Sequence, residues 1–160
     1  MTYYLSLGSN LGRRATNLTR ACRLLTRSGV DVLLASSVYE TEPVDLPDQP
    51  WFLNQVLEVR SELEPPRLLS LVKTIETEMG RVPAVPKGPR LIDIDILLAG
   101  DRVVDSPDLV IPHPRLHLRN FVLVPLCEIA PDVRHPVLDR TIKEMFQGTT
   151  DRSRVKKKRP

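Results

Sequence analysis

The chain has 160 residues, 41% of them hydrophobic and 27% charged, which is typical of one globular domain with a substantial core. Its formal charge of +3 comes from the C-terminal end: residues 150–160 carry six basic side chains and one acidic, whereas the other 149 residues carry 17 basic and 19 acidic ones. The first residues lack the charged region of a signal peptide, and no stretch has the roughly 20 apolar residues of a membrane helix. We therefore expect a cytoplasmic protein with no membrane partner. We also predict a domain over residues 1–149, followed by a basic, disordered tail at 150–160.

Strands and helices alternate in the hydrophobic pattern of the first hundred residues. The predicted elements are a strand at 3–8, a helix at 14–28, strands at 31–40 and 51–62, a helix at 66–79 and a strand at 91–98. This β-α-β-β-α-β order predicts an α+β, ferredoxin-like core in which helices pack on a mainly antiparallel sheet. A C-terminal hairpin at 102–111 and short helices near 122–129 and 141–146 should follow.

The last predicted core strand carries two carboxylates on one face. In GPRLIDIDILLAG (88–100), three isoleucines alternate with Asp93 and Asp95. Successive side chains of a strand point to opposite faces, so the two aspartates share a face with their Cα atoms roughly 6.6 Å apart. A solvated strand face is one explanation. The other is a cation site, because adjacent carboxylates repel one another unless positive charge lies between them.

Magnesium and phosphate fit this pattern. Mg²⁺ prefers oxygen ligands and is commonly held by one or two carboxylates together with substrate phosphates. Arg81 and Arg90 flank the segment that leads into the strand, and the arginine guanidinium binds phosphate through two parallel hydrogen bonds. The segment therefore predicts a site for metal-assisted phosphoryl transfer.

The same segment resembles the signature of the 6-hydroxymethyl-7,8-dihydropterin pyrophosphokinases, a family of folate biosynthesis. The resemblance extends to about residue 147, and the basic tail lies outside it. The stretches that carry it, besides GPRLIDIDILL, are LGSNLG (7–12), YETEPV (39–44), FLNQV (52–56), IETEMGR (75–81) and IPHPRLHLRNFVLVPLCEIAP (111–131).

The resemblance implies transfer of pyrophosphate from ATP to the hydroxymethyl oxygen of 6-hydroxymethyl-7,8-dihydropterin, with AMP as the second product. It implies two Mg²⁺ ions, held by Asp93 and Asp95, and catalytic roles for Arg81, Arg90 and the two aspartates. The residues implied on the ATP side are Glu76, Arg81, Arg90, Ile96, His113 and Arg119.

On the pterin side the resemblance implies Thr41, Pro43, Val44, Phe52, Asn54, Asp93 and Phe121. The chemistry agrees, because two aromatic rings can stack on a flat pterin and a primary amide can pair with the donors and acceptors of its edge. Taken singly, these residues have structural explanations: Phe52 and Phe121 as core, Asn54 as a strand-edge amide. His113, in Ile-Pro-His-Pro, fits a rigid turn.

The loop at 82–89 departs from the family pattern. Some family members have a second arginine and a tryptophan there, whereas this chain has Pro83, Pro86 and Lys87, and Leu91 stands where threonine is usual. We predict that the loop is a flap that orders over bound substrates, with Lys87 contacting phosphate.

Two other functions are alternatives to the kinase. One is a ferredoxin-like module that binds nucleic acid through the basic tail, and the other is a metal-binding domain without catalysis. The slightly acidic body and the absence of an aromatic-rich strand motif argue against nucleic acid. ATP and the pterin are therefore the expected partners of a protein that we expect to be monomeric.

Overall fold

A computed structural model describes residues 1–44, 46–80 and 89–158. The main elements are β1 (Thr2–Ser9), α1 (Arg14–Arg27), β2 (Asp31–Ala35), β3 (Tyr39–Thr41), β4 (Phe52–Arg60), α2 (Pro65–Glu78), β5 (Asp93–Ala99), β6 (Val104–Asp105), β7 (Val110–Ile111), α3 (Asn120–Ile129), α4 (Ile142–Gly148) and β8 (Val155–Lys157). A short 3-10 turn, Leu116–Leu118, precedes α3. None of the described helices is long and apolar enough to cross a membrane.

Six strands form one sheet in the order β5-β1-β4-β3-β8, with β2 also paired to β4, and every pairing is antiparallel. The predicted α+β class with a mainly antiparallel sheet is therefore confirmed. β1 lies between β4 and β5, opposite residues 53–60 of one strand and 93–99 of the other. This register brings the end of β1, the start of β4 and the two aspartates of β5 to the same end of the sheet.

The stretch 31–40 is two strands rather than the single strand that the sequence predicts. Ser36 interrupts it: its backbone N–H donates to the carbonyl of Val56, and its hydroxyl accepts from the N–H of Val56, both at 2.9 Å. A side-chain oxygen thus replaces a backbone carbonyl in the ladder. β3 consequently pairs with the beginning of β4, with Thr41 opposite Phe52 and Tyr39 opposite Asn54.

The two faces of the sheet are covered to different extents. α1 and α2 pack on one face and enclose the main core, which includes Ile92, Ile94 and Ile96 from the β5 segment. On the other face, α3 and α4 bury a second core against Val56 and Leu97. The predicted division of the strand is therefore correct: the isoleucines enter the main core, and the two aspartates are on the other face, beyond the second core.

The prediction of a disordered C-terminal tail is wrong. Val155–Lys157 form β8, which pairs with β3, and the N–H of Lys158 donates to the carbonyl of Val38 at 2.8 Å. Charge density suggested a solvated end. However, the lysines of a basic strand can keep their ammonium groups in water while the backbone pairs with an open sheet edge, and lysine is common on such edges.

Candidate active site

A cavity of about 360 Å³ opens on the sheet face that carries the two aspartates. We call Arg90, Asp93 and Asp95 the carboxylate wall of this cavity. The aromatic wall consists of the remaining lining residues that were predicted for the pterin: Thr41, Pro43, Val44, Phe52, Asn54 and Phe121. His113 and Arg119 line the same cavity.

The carboxylate wall is held by β1. Across the β1–β5 ladder, Asp93 is opposite Gly8 and Asp95 is opposite Ser6, and both β1 residues also line the cavity. Nη1 of Arg90 donates to Oδ2 of Asp93 at 3.0 Å. One carboxylate of the pair thus has a cation beside it.

Asp95 lies in a strongly anionic environment. Burial, together with the charges of Asp93 and Glu76, raises the pKa of Asp95 to about 7, although Arg90 and Arg119 act in the opposite direction. Glu76 reaches this region from α2, where its Oε2 accepts from the N–H of Ile94 at 2.8 Å. Three carboxylates in so small a volume favour a bound proton or a bound cation.

His113 is neutral at physiological pH. Burial and the nearby Arg119 lower the pKa of His113 to about 4, despite the opposing effect of Asp93. Its Nδ1 accepts from the N–H of Arg115 at 3.1 Å, so the proton of the neutral ring is on Nε2, which can donate to a ligand. The backbone N–H of His113 donates to the carbonyl of Leu97 at 2.9 Å, which fixes the residue to β5.

The aromatic wall combines rings with a fixed amide. Phe52 and Asn54 share a face of β4, and Nδ2 of Asn54 donates to the hydroxyl of Thr41 at 2.6 Å. At the start of α3, the guanidinium of Arg119 lies 5.3 Å from the centroid of the Phe121 ring. A ring that carries a stacked cation is a suitable surface for a flat, polar heterocycle.

Gly8 allows β1 to approach this wall closely. A Cβ at this position would lie 2.7 Å from Oδ1 of Asn54 and 3.7 Å from Cδ1 of Phe52. The side chain of Asn54 thus occupies the space that any larger residue at Gly8 would need.

Comparison with known proteins agrees with this geometry. The family model of 7,8-dihydro-6-hydroxymethylpterin-pyrophosphokinase matches residues 4–131. The chain belongs to this family. A 2-amino-4-hydroxy-6-hydroxymethyldihydropteridine pyrophosphokinase from Bacillus subtilis is 42% identical over 154 residues, which cover 96% of this chain and 87% of the relative. The enzyme of the same name from Aquifex aeolicus is 41% identical, over 93% of this chain and 92% of its own length.

Other relatives of this pyrophosphokinase-family chain are much longer. The folic acid synthesis protein fol1 of Pneumocystis carinii is 43% identical over 92% of this chain, which spans only 20% of that relative. A crystal structure of Plasmodium falciparum HPPK-DHPS with pteroate matches with a TM-score of 0.71 at 18% identity, covering 91% of this chain and 42% of the other. At that identity the structural match supports the fold alone.

Most residues that sequence analysis assigned to the pyrophosphokinase site lie together at the cavity, with three exceptions. Glu76 does not line the cavity but acts on it through its charge and its bond to Ile94. Ile96 is buried in the main core, so its assignment to ATP stays a prediction. Arg81 lies outside the described residues, as does the predicted flap, of which only Pro89 is described.

Sequence analysis missed several cavity residues and one residue that positions them. The missed lining residues are Ser6, Gly8, Glu42, Gln49, Pro114 and Arg115. The buried Asn10 accepts from the N–H of Arg90 at 2.7 Å and donates to Oε1 of Gln49 at 2.9 Å and to the carbonyl of Pro50 at 3.0 Å. The motif LGSNLG was the available signal, because a polar Ser-Asn pair directly follows a buried strand.

Proposed function

We propose that this chain transfers the pyrophosphoryl group of ATP to the hydroxymethyl oxygen of 6-hydroxymethyl-7,8-dihydropterin, giving the pterin pyrophosphate and AMP in folate biosynthesis. The observation that carries the proposal is the joint presence, in one cavity, of the carboxylate wall and the aromatic wall. The first suits a polyphosphate with its cations, and the second suits a flat heterocycle. The names of the Bacillus and Aquifex relatives specify a pteridine and a pyrophosphokinase, in agreement with a heterocycle and a polyphosphate as ligands.

Asp93 and Asp95 would hold Mg²⁺, with two ions expected, as in our reading of the sequence. The donor set fits, since two neighbouring carboxylates face one cavity, and burial together with the charges of Asp93 and Glu76 raises the pKa of Asp95. Bound magnesium would neutralise phosphate charge and lower the pKa of a coordinated hydroxyl. Among the described residues, no group of three or more histidine, cysteine or acidic side chains is arranged so that it could hold a metal ion by itself, so substrate oxygens would complete the ligand set.

Arg90, His113 and Arg119 would bind the ATP phosphates, together with Arg81. Arg90 is already oriented by Asn10 and Asp93, and the neutral ring of His113 supplies an N–H donor at Nε2. Phosphoryl transfer requires mainly positioning and charge neutralisation, which these fixed donors can supply without a general base.

Phe52 and Phe121 would stack on the pterin, and Asn54 would pair with its polar edge. Because Thr41 takes one N–H of the Asn54 amide, the orientation of that amide is set before substrate binds. Thr41, Pro43 and Val44 would complete this side of the pocket. Preorganisation of this kind lowers the cost of ordering on binding.

The nucleic-acid-binding alternative is not supported. Arg154 and Lys156 lie over the ring of Trp51, and their segment pairs with β3, so part of the basic charge makes contacts within the domain.

The proposal also includes a ferredoxin-like core. The strand order supports it, because β5, β1 and β4 are adjacent in the sheet and β4 also pairs with β2 and β3. A cytoplasmic monomer stays a prediction.

The direct test is product analysis. The purified chain is incubated with ATP, 6-hydroxymethyl-7,8-dihydropterin and MgCl₂, and nucleotides and pterins are separated by anion-exchange chromatography. We expect equal amounts of AMP and pterin pyrophosphate, and neither product after chelation by EDTA or omission of the pterin. Formation of ADP, or no AMP under these conditions, would overturn the proposal.

A further inference from the structure

The C-terminal segment, residues 150–158, makes three separate contacts with the aromatic wall or with residues next to it in the chain. The first is β8 itself, in which Val155 is opposite Thr41 and Lys156 is opposite Glu40. Thr41 holds the amide of Asn54, so β8 covers the outer edge of the strand that orients this amide.

The second contact extends the ladder into the loop that follows β3. The N–H of Glu42 donates to the carbonyl of Arg154 at 3.1 Å, and the N–H of Arg154 donates to Oε1 of Glu42 at 2.8 Å. The side chain of Arg154 lies 5.4 Å from the ring centroid of Trp51, the neighbour of Phe52, and Lys156 lies 5.9 Å from the same ring. Both ends of the loop between β3 and β4 are therefore in contact with the segment.

The third contact is at the start of α3. Oδ2 of Asp151 accepts from the N–H of Asn120 at 2.7 Å, and the carbonyl of Asp151 accepts from Nδ2 of Asn120 at 2.9 Å. Oδ1 of Asp151 accepts from the N–H of Ser153 at 2.9 Å, which holds the carboxylate in place. A carboxylate at this helix start satisfies an N–H that has no partner within the helix, and Phe121 is the next residue.

We infer that the C-terminal segment positions the pterin pocket, with Asp151 fixing the start of α3 that carries Phe121 and β8 fixing Thr41 and Glu42. The inference rests on the function proposed above. The family model ends at residue 131, so the match assigns no role to this segment. Residues 150–160 are predicted from the sequence to lie outside the domain, whereas this inference gives the segment a role in the pocket.

The physical reason is the narrow tolerance of a stacking pocket. A planar ring is bound between two aromatic side chains only if they are held at the right separation, and displacements of about 1 Å are costly in such sites. Phe52 is on β4 and Phe121 is on α3. Without the C-terminal segment, β4 and the start of α3 would have to become ordered when the substrate binds, and this ordering would weaken binding. The expected effect is therefore on the Michaelis constant for the pterin.

The test compares Asp151→Ala and Asp151→Asn with Asp108→Ala, a control at an exposed aspartate in the turn between β6 and β7. We expect Asp151→Ala to raise the pterin KM by about tenfold, as for loss of a hydrogen bond to a charged group. The ATP KM should change by less than about twofold and kcat by less than about threefold. Asp151→Asn should restore part of the pterin affinity, because its amide oxygen can still accept from Asn120. The control should match the parent.

A chain that ends at Thr149 provides a second measurement, and we expect its pterin KM to exceed that of Asp151→Ala. An unchanged pterin KM in Asp151→Ala, or a fall in kcat alone accompanied by a lower melting temperature, would overturn the inference. The parent chain, assayed in parallel, separates the two proposals. If the parent forms no AMP, the proposed function fails; if the parent is active and the variant keeps its pterin KM, only the positioning role fails.

Discussion

The carboxylate wall comes from one short segment, whereas the aromatic wall comes from segments far apart in the sequence. Arg90, Asp93 and Asp95 lie within six residues, and alternation along a single strand places both aspartates on one face. The aromatic wall needs β3, β4 and the start of α3, and the C-terminal segment connects the first and last of these. The alternation of residues along one strand is therefore enough to place the two carboxylates. The shape of the aromatic wall depends instead on how distant segments pair in the folded chain.

The largest expected effect comes from breaking the carboxylate wall. Asp95→Ala should lower turnover by at least about a hundredfold, because loss of a preorganised electrostatic group costs that much in comparable sites. The fold should survive. At pH 8 the parent carries an ionised Asp95 beside Asp93 and Glu76, so the variant should unfold at the same or a higher temperature.

The control for this variant is Asp105→Ala, at an exposed aspartate of β6. Steady-state AMP formation and thermal unfolding are measured for both. Near-normal activity of Asp95→Ala would contradict the cation site and favour the alternative, in which the two aspartates lie on a solvated strand face.

The fold and the site could be predicted from the sequence where the hydrophobic residues recur at strand or helix spacing. The face of β5 that carries the aspartates follows from the period of two, and the apolar stripes of α1 and α2 follow from helical spacing. The pairing of Thr41 with Phe52 could not be read in this way, because the break at Ser36 depends on a hydroxyl bonded to Val56, twenty residues further along the chain. The family resemblance, rather than the pattern, brought Thr41 and Asn54 into the site.

Asn54→Ala tests the aromatic wall directly. We expect pterin binding to weaken by roughly 1–3 kcal/mol, because the polar edge of the pterin loses a buried partner. ATP binding measured without pterin should change little. Gln55→Ala is the matched control, since it removes a side-chain amide from the same strand. Nε2 of Gln55 donates to the carbonyl of Ser36 at 2.9 Å. Titration calorimetry with each ligand gives both affinities, and a large loss of ATP affinity in Asn54→Ala would reassign the residue.

Gly8→Ala should disturb the same amide from the other side. Its new Cβ would meet Oδ1 of Asn54 at 2.7 Å, so the amide must turn or β1 must move, and we expect the pterin KM to rise by roughly fivefold. In the control, Gly148→Ala, the added carbon meets Nη2 of Arg140 at 2.7 Å, but the tip of an exposed arginine can move away easily. Equal kinetics for both variants would show that Asn54 adapts without loss.

The C-terminal segment shows why composition misled. Its charge predicts solvation, and nothing in its sequence specifies a partner strand, because an edge strand pairs mainly through backbone groups. Asp151 is of a residue type that is common at helix caps, yet the helix start that it caps lies 31 residues earlier in the chain.

The smallest expected effect concerns a further tie between α3 and β3. Glu128 of α3 accepts from the hydroxyl of Tyr39 at 2.6 Å and from the hydroxyl of Ser37 at 2.8 Å. Burial acts to raise the pKa of Glu128, but these hydrogen bonds and the charge of Lys157 lower it below its ordinary value. Because the pKa is lower in the folded state, the carboxylate stabilises the fold above about pH 4.5, and this contribution is lost as the pH falls further.

Glu128→Gln should therefore lower the free energy of unfolding by about 1 kcal/mol at pH 7, a modest value because the site is exposed to solvent. The difference from the parent should become smaller as the pH falls from 4.5 to 3, because the parent carboxylate then takes up protons. Urea unfolding at both pH values measures this, with Glu62→Gln at an exposed site after β4 as the control. A difference of the same size at pH 3 would mean that side-chain shape, and not the charge of Glu128, holds α3 against β3. In that case the aromatic wall would depend less on electrostatics than the carboxylate wall does.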